Sequence, residues 1–367
     1  MAVSERLVAP VDGVRAVRPA MTAVCARTAL ARSYFLVLAF LGLGLFVLGL
    51  GNRFTADGAF LIPPQVGWIP PLSAGAWFEA FAIHQQDPVF AACGGTESLP
   101  LFKTLYWWEW LRQAFLLALG AIALLGLVTT ATSRRYGFAL PRLIALAVLA
   151  LAFWPARWAL EHLIDASPTL ASFNAGQYRH ALAVLFASAA LAAVVASAAA
   201  PPRPDQRARS WQIEQREWLW IAAILIDIGF GALFAARDAA ASWPSLLGYE
   251  GHALPPLPQL LSYSPWWLNF TFNALTIQLA HRTLSAALWV AAAWELVTAL
   301  RRTSGTGRTA LRFLLITGQM ASGIMTLMLS VPALLSIVHQ VGAVFLLAAS
   351  LAFLRPGGTI ARAKVPS

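Results

Sequence analysis

Apolar residues in this chain come in long unbroken runs, not with the period of a half-buried strand or a surface helix. Eight runs, approximately 33–51, 106–130, 138–160, 179–200, 217–236, 270–299, 310–330 and 332–354, match the about 20 residues a helix needs to cross about 30 Å of hydrocarbon. The connections between them alternate in character. One set is basic and carries Arg134 and Arg135, then Arg203, Arg207 and Arg209, then Arg301, Arg302 and Arg308. The other set, 52–105, 161–178 and 237–269, is poorer in basic residues and rich in proline and tryptophan. Because positive connections stay in the cytoplasm, the basic set and both termini are expected inside and the other set outside.

The expected fold is therefore an all-α polytopic membrane protein, with eight transmembrane helices as two pseudo-symmetric four-helix bundles. Residues 1–32 form a cytoplasmic segment, 33–200 the first half with its long outer loop 52–105, and 201–216 a cytoplasmic linker containing Pro201, Pro202 and Pro204. Residues 217–354 form the second half and 355–367 a cytoplasmic tail. Each half has an outer loop that closes on an aromatic cluster, Tyr106-Trp107-Trp108-Glu109-Trp110 in the first and Pro265-Trp266-Trp267 in the second. Such clusters anchor helix ends at the membrane interface.

Composition agrees with this reading: 59% of residues are hydrophobic and 11% charged. The formal net charge of +10 does not indicate nucleic acid, because the arginines sit in short connections and not on one soluble face. No compact apolar core precedes Tyr34, so no cleavable signal is expected and the first helix directs insertion. Cys25 and Cys93 fall on opposite sides of the membrane and are not expected to pair. No phosphate loop, nucleophile triad, zinc spacing or nucleic-acid module is present.

Candidate chemistry lies with the intramembrane polar residues, which are costly to bury and so point to function. His281-Arg282 stands about a third of the way into the run 270–299. His339-Gln340 lies about two turns past Pro332, roughly 10 Å along the axis at 1.5 Å per residue. If both helices start at the outer face, the two imidazoles share a depth, and paired neutral imidazoles can ligate a heme iron from both sides. Gln278 and Gln340 flank them. Asp227 in the fifth run is either neutral and hydrogen-bonded to a neighbour or part of a proton path, and the sequence leaves both open. Gly229 with Gly231, and Gly318 with Gly323, are expected to let helices pack closely. His84, His162 and His252 fall in outer segments and are expected to be solvated.

Several stretches, in order, resemble the heme A synthase family, integral membrane enzymes that convert heme O into heme A for terminal oxidases. They are Asn52-Arg53-Phe54-Thr55, Gly67-Trp68-Ile69-Pro70-Pro71-Leu72, Phe102 to Leu111, Ser264 to Asn269, Gln278 to Arg282, and His339-Gln340. The resemblance implies that the second half holds a heme b, its iron between His281 and His339. Arg282 either snorkels toward the outer face or, as the neighbour of a proposed ligand, contacts a propionate, and the second is the expectation here. It implies that the first half takes heme O as substrate and oxidises a ring methyl to formyl through successive hydroxylations, with electrons leaving through the second-half heme to an unidentified acceptor. Glu109 matches an acidic residue implicated in that chemistry.

Two positions depart from the family pattern. Arg112 stands where the second-helix ligand histidine belongs and Ala183 where the fourth-helix one does. A guanidinium stays protonated and offers no lone pair, so the first half cannot be a bis-histidine site. Arg112 can bind a heme propionate, or pair with Glu109 three positions earlier on the same helix face. His180, one turn before Ala183, is either a displaced ligand to the substrate heme or an interfacial histidine. The implied setting is the bacterial inner membrane and its lipid, with heme O synthase and cytochrome oxidase assembly factors as partners. A rival expectation is a diverged, non-catalytic heme b protein in electron transfer, heme handling or oxidase assembly, which the two lost histidines favour. The retained aromatic run and Glu109 favour the enzyme.

Overall fold

The computed structural model describes residues 32–48, 66–86, 97–132, 176–199, 215–237, 239–246, 248–302 and 305–354. Among these the regular structure is helical, apart from one isolated bridge between Tyr249 and His252. The longer helices are α1 (Arg32–Leu48), α2 (Ala74–Gln85), α3 (Leu99–Thr132), α4 (Gly176–Ala199), α5 (Gln215–Ala236), α6 (Ala274–Arg302), α7 (Thr306–Met328) and α8 (Ala333–Phe353). The expected run 138–160 lies outside the described residues, as do Cys25, Cys93 and His162. Five helices, α3 and α5 to α8, are long and apolar enough to cross a membrane. The protein is a membrane protein.

Helices α5, α6, α7 and α8 close a ring, each packing on the next and α8 returning to α5; α4 packs on α8 and α5 from outside. The core between them draws on Leu191 and Ala192, Trp220 and Ile224, Leu288 and Ala292, Ile316, and Val344 with Leu347. A second apolar cluster joins α1, α3 and α4 through Phe35, Leu38, Leu119 and Val194.

The starts of α6 and α8 set the depth of everything that follows. Pro332 precedes α8 with φ −62°, at a helix start where its missing N–H costs no hydrogen bond. The chain reaches it from α7 through Ser330 and Val331, both at positive φ (60° and 59°), which is strained for a β-branched residue. The reversal is held by Val331 N–H on the Thr326 carbonyl at 2.8 Å. The expected run 270–299 is interrupted at Asn273, whose backbone is extended, so α6 begins at Ala274. Asn273 Oδ1 accepts from the Leu275 and Thr276 N–H groups, capping the helix, while its Nδ2 donates to the carbonyls of Gln259 and Leu260 and to Ser262 Oγ. Asn273→Ala is expected to lower the thermal unfolding midpoint of the detergent-solubilised protein by the equivalent of about 1–2 kcal/mol. Asn273→Asp, which keeps the cap, recovers part of that.

In the first half, α2 folds back over the start of α3, with Trp77 in edge contact with Phe102 and Tyr106. Tyr106 Oη accepts from Gly67 N–H at 3.1 Å, and Trp110 Nε1 donates to the Trp68 carbonyl at 3.2 Å, so the aromatic run is fastened to the Gly67–Leu72 stretch. This fold corrects one expectation. His84 is not solvated: it is 7% exposed, stacks near Phe102 and sits 3.1 Å from Glu97 Oε2, because α2 presses that turn onto α3. His252 is exposed.

At the opposite end of the ring a charge cluster ties three helices. Arg312, 2% exposed, donates through Nη1 to Glu295 Oε2 at 2.6 Å and through Nη2 to Glu217, and its guanidinium lies 4.7 Å from the Trp220 ring centre. Arg216 adds a contact to Glu295 Oε1 at 2.9 Å.

Candidate functional site

Within the ring, α6 and α8 bring His281 and His339 together, with ring centres 6.4 Å apart and planes at 78°. The inner side of each ring is engaged by a neighbouring helix. His339 Nδ1 lies 2.9 Å from Ser322 Oγ on α7, and Ser322 Oγ donates to the Gln319 carbonyl at 2.8 Å. Gln319 Nε2 closes the network 2.9 Å from the His339 carbonyl and 3.2 Å from Nδ1. His339 Nδ1 therefore faces two groups of α7, and among the described residues His339 Nε2 has no hydrogen-bond partner.

His281 is held from α5. Asp227 Oδ1 is 2.8 Å from His281 Nδ1, lying off the in-plane N–H direction, and both Asp227 oxygens accept from Ser285 Oγ at 3.1 and 3.0 Å. A carboxylate behind one nitrogen directs the proton there and leaves the other nitrogen as a ligand. Glycines leave room beside both rings. A Cβ on Gly323 would come within 2.8 Å of His339 Cε1, and one on Gly231 within 3.2 Å of His281 Cε1.

Two further polar atoms next to this pair are buried without a hydrogen-bond partner among the described residues, Gln278 Oε1 and Ser336 Oγ. Each precedes a histidine by three residues, one helical turn toward the start of its helix. Buried polar atoms left in this way suit a bound group that can satisfy them. Arg282 turns the other way. Its Nη2 donates to the carbonyls of Trp243 and Ser245 at 3.0 and 2.9 Å, its guanidinium lies 4.2 Å from the Trp243 ring centre, and Gln278 Nε2 donates to the same Trp243 carbonyl. Arg282 and Gln278 thus fasten the 243–246 segment to the helix that carries His281.

In the other half, Glu109 and Arg112 are together on α3. Glu109 is 6% exposed; Arg112 Nε donates to its Oε2 at 2.7 Å and Nη2 to its Oε1, a two-pronged ion pair. His180 lies in the opening turns of α4, and its side chain lies outside the described residues.

Sequence reasoning named Asp227 without a partner and missed Ser285, Gln319 and Ser322. The available signal was helical spacing: Gln319, Ser322 and Gly323 share one face of α7, and Asp227 and Gly231 share one face of α5.

Comparison with known proteins gives a consistent result. The chain matches the COX15-CtaA family of cytochrome oxidase assembly proteins over residues 32–351. It is 30% identical to the heme A synthase of Allorhizobium ampelinum over 328 residues, covering 85% of this chain and 86% of that one. It is 30% identical to the heme A synthase of Sinorhizobium fredii over 334 residues, covering 88% and 89%, and 30% identical to that of a Methylobacterium species over 357 residues, covering 94% and 97%. No solved structure matches. Likeness of this extent, over most of the length of both chains, means that the chain belongs to the heme A synthase family.

Proposed function

We propose that this protein is a heme A synthase: it takes heme O as substrate and oxidises a ring methyl group to formyl, supplying heme A for cytochrome oxidase biogenesis. The observation that carries the reading is the separation of His281 and His339. An imidazole nitrogen binds a metal at about 2 Å, so two rings that shared one iron would have centres roughly 6 Å apart. The observed value is 6.4 Å. The engaged Nδ1 atoms, the glycines beside the rings and the two unsatisfied polar atoms fit a heme b held from both faces. When bound, that group supplies a one-electron ferric/ferrous couple.

The chain's own residues take the following roles in this reading. Ser322 with Gln319, and Asp227 with Ser285, orient the imidazoles. Arg282 fixes the outer segment beside His281. Glu109 is the catalytic residue, stabilising positive charge at the reacting methyl carbon or taking its proton. Arg112 holds Glu109 in place, and Arg112 and His180 position heme O. The fuller architecture we propose is eight helices in two four-helix bundles, in a bacterial inner membrane with both termini cytoplasmic. Heme O synthase is the supplier and an electron acceptor the outlet.

One observation favours a second reading. Both Glu109 oxygens are already engaged by Arg112, and no histidine stands at position 112 or 183. This suits a heme b protein that no longer performs synthesis. Extraction and chromatography of heme from membranes that express the chain with a heme O source separates the two. The enzyme is expected to yield heme A or its hydroxylated intermediate, with product falling at least a hundredfold in Glu109→Ala. Unconverted heme O alone, with a low-spin heme b still bound, would establish the second reading.

A further inference from the structure

We propose that Asp227 is a tuning and positioning residue for the heme of the α5–α8 ring: its carboxylate, acting through His281, stabilises the ferric state and lowers the midpoint potential of the site. The inference rests on the heme b reading above and goes beyond it, because ligation by itself leaves the potential open. The two histidines are not supported alike. Behind His339 stand neutral groups, a hydroxyl and an amide. Behind His281 stands a carboxylate, 2.8 Å from Nδ1 and only 17% exposed.

That asymmetry has a direction. A carboxylate next to a ligand's Nδ1–H draws the proton toward itself and makes the ring more imidazolate-like, so Nε2 becomes a stronger donor. Stronger donation stabilises ferric over ferrous iron, which lowers the potential of the one-electron couple; no bond to iron is made or broken. The carboxylate lies off the N–H direction in the structure, and the terminal torsion of His281 is a soft one, about which the two can align. Ser285 acts as a counterweight. Its hydroxyl donates to both carboxylate oxygens and so withdraws part of the charge that Asp227 offers to His281.

The relay therefore makes two predictions of opposite sign. Asp227→Asn removes the charge and is expected to raise the midpoint potential, by at least a tenfold change in the ferric/ferrous equilibrium, which is 59 mV for one electron. Ser285→Ala releases the carboxylate toward His281 and is expected to lower it. General loosening of the site by either change would move both potentials in the same direction. The experiment is a spectroscopic redox titration of the full-length protein purified in detergent with its bound heme b, for the wild type and both variants. Opposite shifts establish the relay. Unchanged potentials, or shifts of one sign, overturn it while leaving bis-histidine ligation intact. If Asp227→Asn does not yield protein, Ser285→Ala decides alone: a fall supports the relay, and no change or a rise overturns it. A wild-type protein with no low-spin heme would sink the heme b reading itself, and this inference with it.

Discussion

Replacing either His281 or His339 by alanine is expected to abolish the low-spin heme spectrum of the purified protein. Changes to groups that merely support a metal ligand already cost about 10–100-fold in affinity, so loss of a ligand should cut retained heme by at least that factor. The reason lies in how the two rings are held. Each has its Nδ1 side facing a group of a neighbouring helix, Asp227 in one case and Ser322 in the other, so each would offer the heme its remaining nitrogen. Any heme that remains should be high-spin and held from one face. Added imidazole should restore the low-spin form, because the alanine leaves a ring-sized space. His252→Ala, at an exposed turn, should leave the spectrum unchanged. A low-spin spectrum surviving in both ligand variants would remove this pair as the heme site.

The second large effect concerns stability. Arg312→Ala is expected to destabilise the protein by about 3–5 kcal/mol, the cost of leaving buried carboxylates without their buried partner, with only the more exposed Arg216 still beside them. Glu217 and Glu295 are 4% and 8% exposed and come from α5 and α6, while Arg312 comes from α7, so the loss falls on three helices at once. The lost packing against Trp220 adds to it. Replacing all three groups together, as Arg312→Met with Glu217→Leu and Glu295→Leu, should be close to neutral or stabilising, because it also removes the desolvation cost. Thermal unfolding in detergent, followed by loss of helical signal, measures both. Equal destabilisation by the single and the triple variant would mean that the cluster acts through shape and not through charge.

The helices were legible because a bilayer demands continuous apolarity, and the expected runs 33–51, 217–236 and 332–354 fall within a few residues of α1, α5 and α8. The histidine pair was legible by counting along each helix from its first residue. His281 is eight residues past Asn273 and His339 seven past Pro332, which places them at the same depth. What supports those rings was not legible. Asp227 reads as a lone carboxylate until α5 is known to pack on α6, and Ser322 reads as an ordinary small polar residue until α7 is known to back α8. His84 was misplaced for the same reason, since nothing in the loop sequence says that α2 folds back onto Phe102. Arg312 was not singled out from the sequence, standing a few residues past Arg301, Arg302 and Arg308, although it is buried between two carboxylates.

The order of helices around the ring also fixes the order in which the protein matures. Synthesis delivers α5 and α6 first, so Asp227, Ser285 and His281 are assembled while the last hairpin is still being made. His339 and its support, Gln319, Ser322 and Gly323, arrive together on α7 and α8, joined by the strained turn at Ser330 and Val331. On the heme b reading proposed above, cofactor capture would coincide with closure of that final hairpin, and two ligand bonds would contribute to the free energy that holds it shut.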